Sequence, residues 1–110
     1  MIHFFFNLGE ILSIIKQTIY LARKTKEKDL EKKLYNLKNS LLDMKGCIYF
    51  EVYKSDDCDD EFLIYEEWDS EELYTSSLSS EAYVSFEKNW GYFGFKKTQS
   101  TYSLNYLFLF

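Results

Sequence analysis

A chain of 110 residues is long enough for one hydrophobic core but not for two. Its composition, 46% hydrophobic and 28% charged, is that of an ordinary globular protein. The formal net charge of −5 argues against nucleic-acid binding, because such affinity depends on neutralising phosphates. Two cysteines are too few for a disulfide framework and lack metal-ligand spacing, so we expect free thiols, no metal and a cytoplasmic location.

The first 16 residues are the most apolar stretch of the first half of the chain. A transmembrane helix needs about 20 apolar residues, and this shorter run is interrupted by Glu10. A buried or partner-facing helix is the favoured interpretation, with membrane association as the alternative. We therefore predict an apolar extension over residues 1–17 and one domain over 18–110. The apolar residues at helical spacing are Phe4, Leu8, Ile11, Leu12 and Ile15.

A short strand is predicted next, from Thr18 to Arg23. Alternation would place Ile19 and Leu21 on one face, with Tyr20 and Ala22 on the other.

A helix is predicted to follow this strand. Thr25 could cap its first turn, and the helix would run to about Lys45, with Gly46 as the residue that ends it. An apolar stripe at steps of four and three marks the buried face of this helix. The stripe consists of Leu30, Leu34, Leu37, Leu41 and Met44.

A β-hairpin is the clearest pattern in the chain. Cys47–Lys54 and Glu61–Trp68 are both rich in aromatic and β-branched residues, and Ser55–Asp60 between them is an exposed acidic turn. An EF-hand loop beginning at Asp56 would need glycine at its sixth position, which holds Glu61. The turn therefore does not predict a calcium site.

Both faces of the hairpin strands carry apolar side chains. The first strand would place Ile48, Phe50 and Val52 on one face, and the second would place Phe62, Ile64, Glu66 and Trp68 on one face. Neither strand shows the alternation of apolar and polar side chains that is expected when one face of a sheet is exposed to water. Helices can cover one face only, so the sequence predicts a homodimer through the open sheet face.

The hairpin is followed by a helical region. Asp69 is a candidate cap, with Glu72 placed to complete a capping box. The helix should break near Ser79–Ser80 and restart through Phe86.

The C-terminal part is predicted to contain the last strand. Asn89–Phe95, with two glycines, indicates a turn or an irregular strand, and Tyr102–Phe110 indicates a better one. The resulting order is β-α-β-β-α-β, an α+β fold with the ferredoxin-like split βαβ arrangement and an antiparallel sheet.

Three stretches resemble the antibiotic biosynthesis monooxygenase (ABM) family. They are GCIYFEVYKSDD, EFLIYEEWDSEEL and LSSEAYVSF, in the family's order and at its spacing. The resemblance covers about residues 18–86. It implies a ferredoxin-like monomer whose sheet packs against that of a second subunit, forming a dimeric α+β barrel.

The resemblance also implies an activity and shows two departures. ABM enzymes oxygenate phenolic or quinol substrates without metal or flavin, so it implies no cofactor and a small aromatic substrate. The family's usual histidines correspond here to Ser77 and Ala82, and the only histidine of the chain is His3. The general base would then have to be another residue.

Carboxylates are the candidate replacements for the histidine. One of Glu51, Glu66 and Glu67 could face the apolar interior, where burial would raise its pKa and make it a base. The alternative is an exposed or cross-strand-paired glutamate at the dimer interface.

Aromatic residues near these carboxylates are the candidate substrate-binding groups. Trp68 could stack on a planar substrate, or it could be a core residue at the strand-to-helix corner. The tyrosine hydroxyls could orient a substrate carbonyl, or the rings could serve packing alone. The remaining candidates are Tyr49, Tyr65, Tyr74 and Ser77.

Two functions follow from these patterns. The first is a cofactor-independent monooxygenase of the ABM type that acts on an aromatic or quinol-like small molecule. The second is a catalytically inactive dimeric domain of the same fold, with a small-molecule-binding or structural role. A buried glutamate beside an open cavity would favour the first function, and a cavity filled by aromatic side chains would favour the second.

Overall fold

The structure, a computed structural model, describes residues 13–103. Four strands form one antiparallel sheet in the order β2-β3-β1-β4. This arrangement confirms the predicted α+β, ferredoxin-like fold, with the second helical region divided in two. The elements are β1 (Ile14–Ala22), α1 (Glu27–Leu41), β2 (Cys47–Lys54), β3 (Glu61–Trp68), α2 (Glu71–Ser77), α3 (Glu81–Phe93) and β4 (Gly94–Ser103).

The hydrophobic core lies between one face of the sheet and the helices. Leu30, Leu34, Leu37 and Leu41 of α1 are all buried, as the apolar stripe predicts. They pack against inward-facing residues of the three strands β1, β2 and β3 and against Phe86 of α3. We call this side of the sheet the inner face, and the opposite side the outer face.

β1 begins earlier than the sequence indicates. It starts at Ile14 rather than at Thr18, so it crosses the predicted boundary between extension and domain. Residues 14–22 alternate between buried and more exposed, which is strand periodicity. Tyr20 and Ala22 share one face, as predicted, and this face is the inner one. The rest of the predicted N-terminal helix lies outside the described residues.

The ends of α1 differ from the prediction. Thr25 has a positive φ of 72° and does not cap the helix; Lys26 is the N-cap, without a side-chain hydrogen bond. The helix ends at Leu41 rather than near Lys45. Gly46 is therefore not its C-terminal glycine, but it closes the following turn with a φ of 90°.

Gly46 is expected to tolerate no side chain. A Cβ at this position would lie 2.7 Å from the Leu73 Cβ and 2.5 Å from its Cδ1, and the positive φ adds strain. Gly46→Ala should reduce the free energy of unfolding by about 1–3 kcal/mol. Gly91→Ala is the matched control, because a Cβ at that helical position meets nothing within 4 Å. Urea denaturation should show the control at equal or higher stability than wild type, by up to ~1 kcal/mol; equal losses in both variants would contradict this account.

Two serines begin the helices after the hairpin. The Ser70 hydroxyl accepts a hydrogen bond from the Leu73 N–H at 3.1 Å, so Ser70, not Asp69, is the cap of α2. Ser80 caps α3 in the same way, which confirms the predicted break near Ser79–Ser80.

α3 is longer and the last strand earlier than predicted. The helix continues past Phe86 to Phe93, because Trp90 and Phe93 extend its apolar side onto the core. Asn89–Phe95 is therefore mostly helix rather than a turn or irregular strand. β4 then occupies Gly94–Ser103, and the predicted strand at residues 102–110 overlaps it only at its start. Its remaining residues lie outside the described part of the chain.

Both hairpin strands have the predicted bounds, but the first two side chains of β2 are reversed. The register with β3 shifts between Cys47 and Tyr49. This irregularity turns Cys47 towards the core and leaves Ile48 exposed. Phe50 and Val52 share one face, as predicted, and this face is the inner one.

Candidate functional site

A polar strip lies within the inner face of the sheet. Strand periodicity points Lys16, Thr18 and Tyr20 of β1 towards the helices, and all three are buried. Lys16 is the direct partner of Glu66 in the register between β1 and β3. Side chains directly opposite each other in such a pair start about 5 Å apart. A lysine and a glutamate therefore share a buried region between sheet and helices.

Glu66 is the most perturbed carboxyl group of this region. Only 7% of the residue is exposed. Burial raises its pKa from 4.5 to about 7, because the charged form loses hydration. A hydrogen bond from the Trp68 indole N–H to Oε1, at 3.0 Å, and the charge of Lys16 oppose this rise. The group can therefore exchange a proton near neutral pH, as a general base must.

Lys16 points from β1 towards β4. Its Nζ donates a hydrogen bond to Thr101 Oγ1 at 2.9 Å and lies 3.5 Å from Glu71 Oε1. The same atom is 4.5 Å from the centre of the Tyr74 ring, within the range of a cation–π contact.

Tyr74 of α2 connects the helix layer to β4. Its hydroxyl accepts a hydrogen bond from Gln99 Nε2 at 3.2 Å, and the same amide donates to Thr18 Oγ1 at 2.9 Å. Burial is the main cause of a raised pKa of Tyr74. Gln99 and Thr101 are themselves exposed, although they face the same side as Lys16. The polar strip is therefore exposed at β4, whereas Lys16, Glu66 and Tyr74 are themselves buried.

A second polar group lies further along the same side. Glu87 of α3 accepts hydrogen bonds from the Tyr83 hydroxyl, at 3.0 Å, and from Lys97 of β4. Burial raises the pKa of Tyr83, and it raises that of Tyr20 well above the ordinary tyrosine value. These phenols stay protonated near neutral pH and can act as hydrogen-bond donors.

The sheet divides the predicted site residues into two sets. Glu66, Trp68, Tyr74 and Ser77 lie on the inner side and form one cluster: Trp68 is completely buried, with its ring centre 6.2 Å from that of Tyr74. The buried Ser77 hydroxyl donates to the Tyr74 carbonyl oxygen at 2.6 Å, so it is occupied within α2.

The other predicted residues lie at the outer face or the sheet edge. Tyr49 of β2 packs edge-on against Tyr65 of β3, with ring centres 5.7 Å apart. Glu67 of β3 is the direct cross-strand partner of Tyr49. Glu51, on the edge strand β2, forms an ion pair with Lys38 of α1 at 2.7 Å. The hydrogen bond from Lys38 is the main cause of a lowered pKa of Glu51, the opposite of what a base near neutral pH requires.

Glu66 lines none of the three best-formed cavities among residues 13–103. One of about 210 Å³ lies between α1 and α3, over Leu37, Phe86 and Phe93. One of about 360 Å³ lies on the outer face beside Tyr65 and Tyr102. The third is at the end of the sheet near Thr25.

The described residues offer no cluster of metal ligands. Between residues 13 and 103, no three His, Cys, Asp or Glu side chains are grouped so that they could hold a metal ion. In the same range, no helix is long and apolar enough to cross a membrane.

The model of one protein family, antibiotic biosynthesis monooxygenase, matches residues 14–89. The chain belongs to this family. The matched segment begins at the first residue of β1 and ends within α3, so it contains Lys16, Glu66, Trp68 and Tyr74. No curated protein has a significantly matching sequence.

Solved structures share the ABM fold at low sequence identity. A Shewanella oneidensis protein has a TM-score of 0.81 and 17% identity, covering 86% of this chain and 92% of its own. A Deinococcus radiodurans protein, provisionally assigned as an antibiotic biosynthesis monooxygenase, has a TM-score of 0.79 and 16% identity, covering 84% and 92%. SnoaB, a cofactor-independent oxygenase from Streptomyces nogalater solved as a variant, has a TM-score of 0.75 and 6% identity, covering 84% and 92%. These likenesses show the fold.

Several residues of this ABM-fold site were missed by sequence reasoning. Lys16 falls in the predicted apolar extension. Ile14, Lys16 and Thr18 nevertheless follow one another at intervals of two residues, which is the spacing of one face of a strand. Gln99 and Thr101 lie in a polar segment whose place in the sheet depends on pairing with β1. The sequence indicates Tyr20 only as a residue of the first strand, and Tyr83 only as part of a family motif.

Proposed function

We propose that this protein is a cofactor-independent monooxygenase acting on an aromatic or quinol-like small molecule, with Glu66 as the general base. The observation that carries the proposal is the buried carboxyl group of Glu66, which is paired with Lys16 between sheet and helices; burial raises the pKa of this group to about 7. Membership of the ABM family and the shared fold of the oxygenase SnoaB support it.

The proposed reaction uses the substrate itself as the reductant. The Glu66 carboxylate removes a proton from an activated CH₂ or phenol, and the resulting carbanion or phenolate transfers electrons to dioxygen. For an anthrone, the CH₂ group becomes a carbonyl with one oxygen atom of O₂, and the other atom leaves as water. In this proposal Glu66 takes the proton, and Lys16 and the Tyr74 hydroxyl stabilise the resulting anion.

Oxygen uptake tests this proposal. Purified protein is supplied with anthrones, dihydroxynaphthalenes and quinols, and wild type is compared with Glu66→Gln. A positioned base contributes about 10²–10⁴-fold, so the variant should lose at least about 100-fold in kcat/KM. Glu51→Gln and Glu67→Gln are matched controls that should keep wild-type activity. Equal rates in wild type and Glu66→Gln would show that Glu66 is not the base.

A specific observation favours a second function. Trp68 is completely buried and donates a hydrogen bond to Glu66, and Glu66 lines none of the three cavities. This packing is what a catalytically inactive dimeric domain, with a small-molecule-binding or structural role, would show. Absence of uptake with every substrate from a folded wild-type protein would favour this function.

The proposed biological unit is a homodimer through the outer face. Ile19, Tyr49, Tyr53 and Tyr102 are exposed on this face, and Tyr65 and Leu63 are only half-buried. A second copy would remove these apolar surfaces from water. Light scattering should give twice the chain mass of 13.3 kDa, and Ile19→Lys should shift it towards one chain. A wild-type protein of single-chain mass at micromolar concentration would contradict the dimer.

A further inference from the structure

The cavity of about 210 Å³ between α1 and α3, the interhelical cavity, is separate from the region around Glu66. Every residue that lines it belongs to one of these two helices, and none belongs to the sheet. A dimer formed through the outer face of the sheet would leave it open, because the helices cover the inner face. Neither the proposed reaction nor the proposed dimer therefore occupies this cavity.

The interhelical cavity has an apolar floor and a polar rim. Leu37 and Phe86 are buried at the floor, and Phe93 beside them is half-buried. The rim is exposed to solvent and carries two amides and two hydroxyls. These groups belong to Asn36 and Ser40 of α1 and to Ser85 and Asn89 of α3. An apolar surface bordered by a few groups that donate and accept hydrogen bonds is the usual construction of a small-molecule site.

The side chain of Asn89 is held in place by its own helix. Its Nδ2 donates a hydrogen bond to the Ser85 carbonyl oxygen, one turn earlier in α3, at 3.0 Å. This bond uses one of the two N–H groups, so one donor and the acceptor Oδ1 are left for a ligand. Asparagine uses such a donor and acceptor together when it binds the edge of a nucleobase through two hydrogen bonds.

Charge and size define the ligand further. No carboxylate is among the residues that line the interhelical cavity, and the one charged lining residue, Lys33, lies with its Nζ 5.5 Å from the centre of the Phe93 ring. The four groups of the rim are uncharged, so they suit a ligand with a neutral polar edge. A volume of about 210 Å³ is below the roughly 300–1,000 Å³ of sites for drug-sized molecules, which leaves room for about one ring.

We propose that the interhelical cavity binds a small neutral ring that carries a carboxamide or lactam edge, the chemistry that nicotinamide and the pyrimidine bases share. The ring lies on Leu37 and Phe86, and its edge exchanges two hydrogen bonds with the Asn89 amide. Asn36 borders the ring from α1. Binding at this site requires neither Glu66 nor turnover, so the inference does not depend on the proposed function.

An NMR titration with two neutral probes of equal shape tests this site. Benzamide has the amide edge, and acetophenone has a methyl group in place of the NH₂. Wild type should bind benzamide at least about fivefold more tightly, the factor of one net hydrogen bond, with the largest shifts in α1 and α3. Asn89→Leu should show no preference. Asn39→Leu is the matched control, because Asn39 is exposed on α1 but does not line the cavity, and it should keep the preference.

Two further variants and two further ligands complete the test. Ser85→Phe, which fills the cavity from α3, should abolish binding of both probes, and it decides if Asn89→Leu does not fold. Glu66→Gln should bind benzamide as wild type does, so failure of the monooxygenase proposal leaves this result unaffected. Tighter binding of nicotinamide than of uracil would identify a ring carboxamide as the ligand, and the reverse order would identify a lactam base.

Several results would overturn the inference. They are no binding of benzamide, equal affinity of wild type for the two probes, and an unchanged preference in Asn89→Leu. Shifts confined to the strands, benzamide binding retained by Ser85→Phe, or no binding of either nicotinamide or uracil would refute it equally.

Discussion

Trp68→Ala is expected to reduce the free energy of unfolding by about 3–5 kcal/mol, the usual effect of deleting a buried large aromatic side chain. Trp68 is completely buried at the junction of β3 and α2, where it packs with Ile14 and Tyr74. Removal of its side chain leaves a cavity between β3 and α2 that movement of these two elements cannot fill. Chemical denaturation of wild type and variant measures the difference. In a marginally stable domain, this loss is a large part of the total.

Two further variants make the Trp68 result specific. Tyr92→Ala removes an aromatic ring that is 74% exposed and should change the stability by less than about 0.5 kcal/mol. Trp68→Phe keeps most of the volume but removes the indole N–H that favours the charged form of Glu66. It should therefore raise the pKa of Glu66 further. A Trp68→Ala protein as stable as Tyr92→Ala would show that Trp68 is not in the core.

Glu66→Gln is expected to stabilise the protein at alkaline pH by about 3 kcal/mol, because burial raises the pKa of Glu66 from 4.5 to about 7 and the charged form is disfavoured in the folded protein by about that energy. Below pH 4.5 the carboxyl group is protonated in both folded and unfolded chains, so the two proteins should be about equally stable. Between pH 4.5 and 7 the unfolded chain ionises first, and the wild-type protein loses stability as pH rises. Above pH 7 the difference reaches its full value.

Denaturation midpoints measured from pH 5 to 9 test this dependence. Glutamine retains an oxygen that can accept the Trp68 N–H, so the variant isolates the charge. Glu51→Gln is a control of opposite sign, because Lys38 lowers the pKa of Glu51 and its charge is favourable in the folded state. That variant should be less stable than wild type at pH 8. The loss should be small, because the ion pair between Lys38 and Glu51 is partly exposed. A pH-independent difference between wild type and Glu66→Gln would contradict a raised pKa.

The hairpin, and the residues that share a strand face with Glu66, were predictable from the sequence. Cys47–Lys54 and Glu61–Trp68 match the structure to the residue, because a polar turn separates two strands of strong β-propensity. Alternation within the second strand places Phe62, Ile64, Glu66 and Trp68 on one face, and the structure shows that this is the inner face. The helix stripe of α1 was equally clear.

The parts that depend on tertiary pairing were not predictable. Ile14–Lys16 lies in an apolar run that also fits a helix, and only pairing with β3 and β4 selects the strand. α3 contains Gly91, which indicates a break, but contacts of Trp90 and Phe93 with the core extend the helix. Which of Glu51, Glu66 and Glu67 is buried depends on the register of the strands. The ion pair of Glu51 at the sheet edge also depends on the position of α1, which carries Lys38.

The most direct test of this account is an NMR titration of the Glu66 side-chain carboxyl carbon. The protein would be labelled with ¹³C at glutamate, and Glu66→Gln would assign the signal. The account predicts a midpoint near pH 7, against about 4.5 for an ordinary glutamate. A midpoint near 4.5 would mean that Glu66 is fully charged well below neutral pH, and the raised pKa on which its role as a general base depends would be refuted.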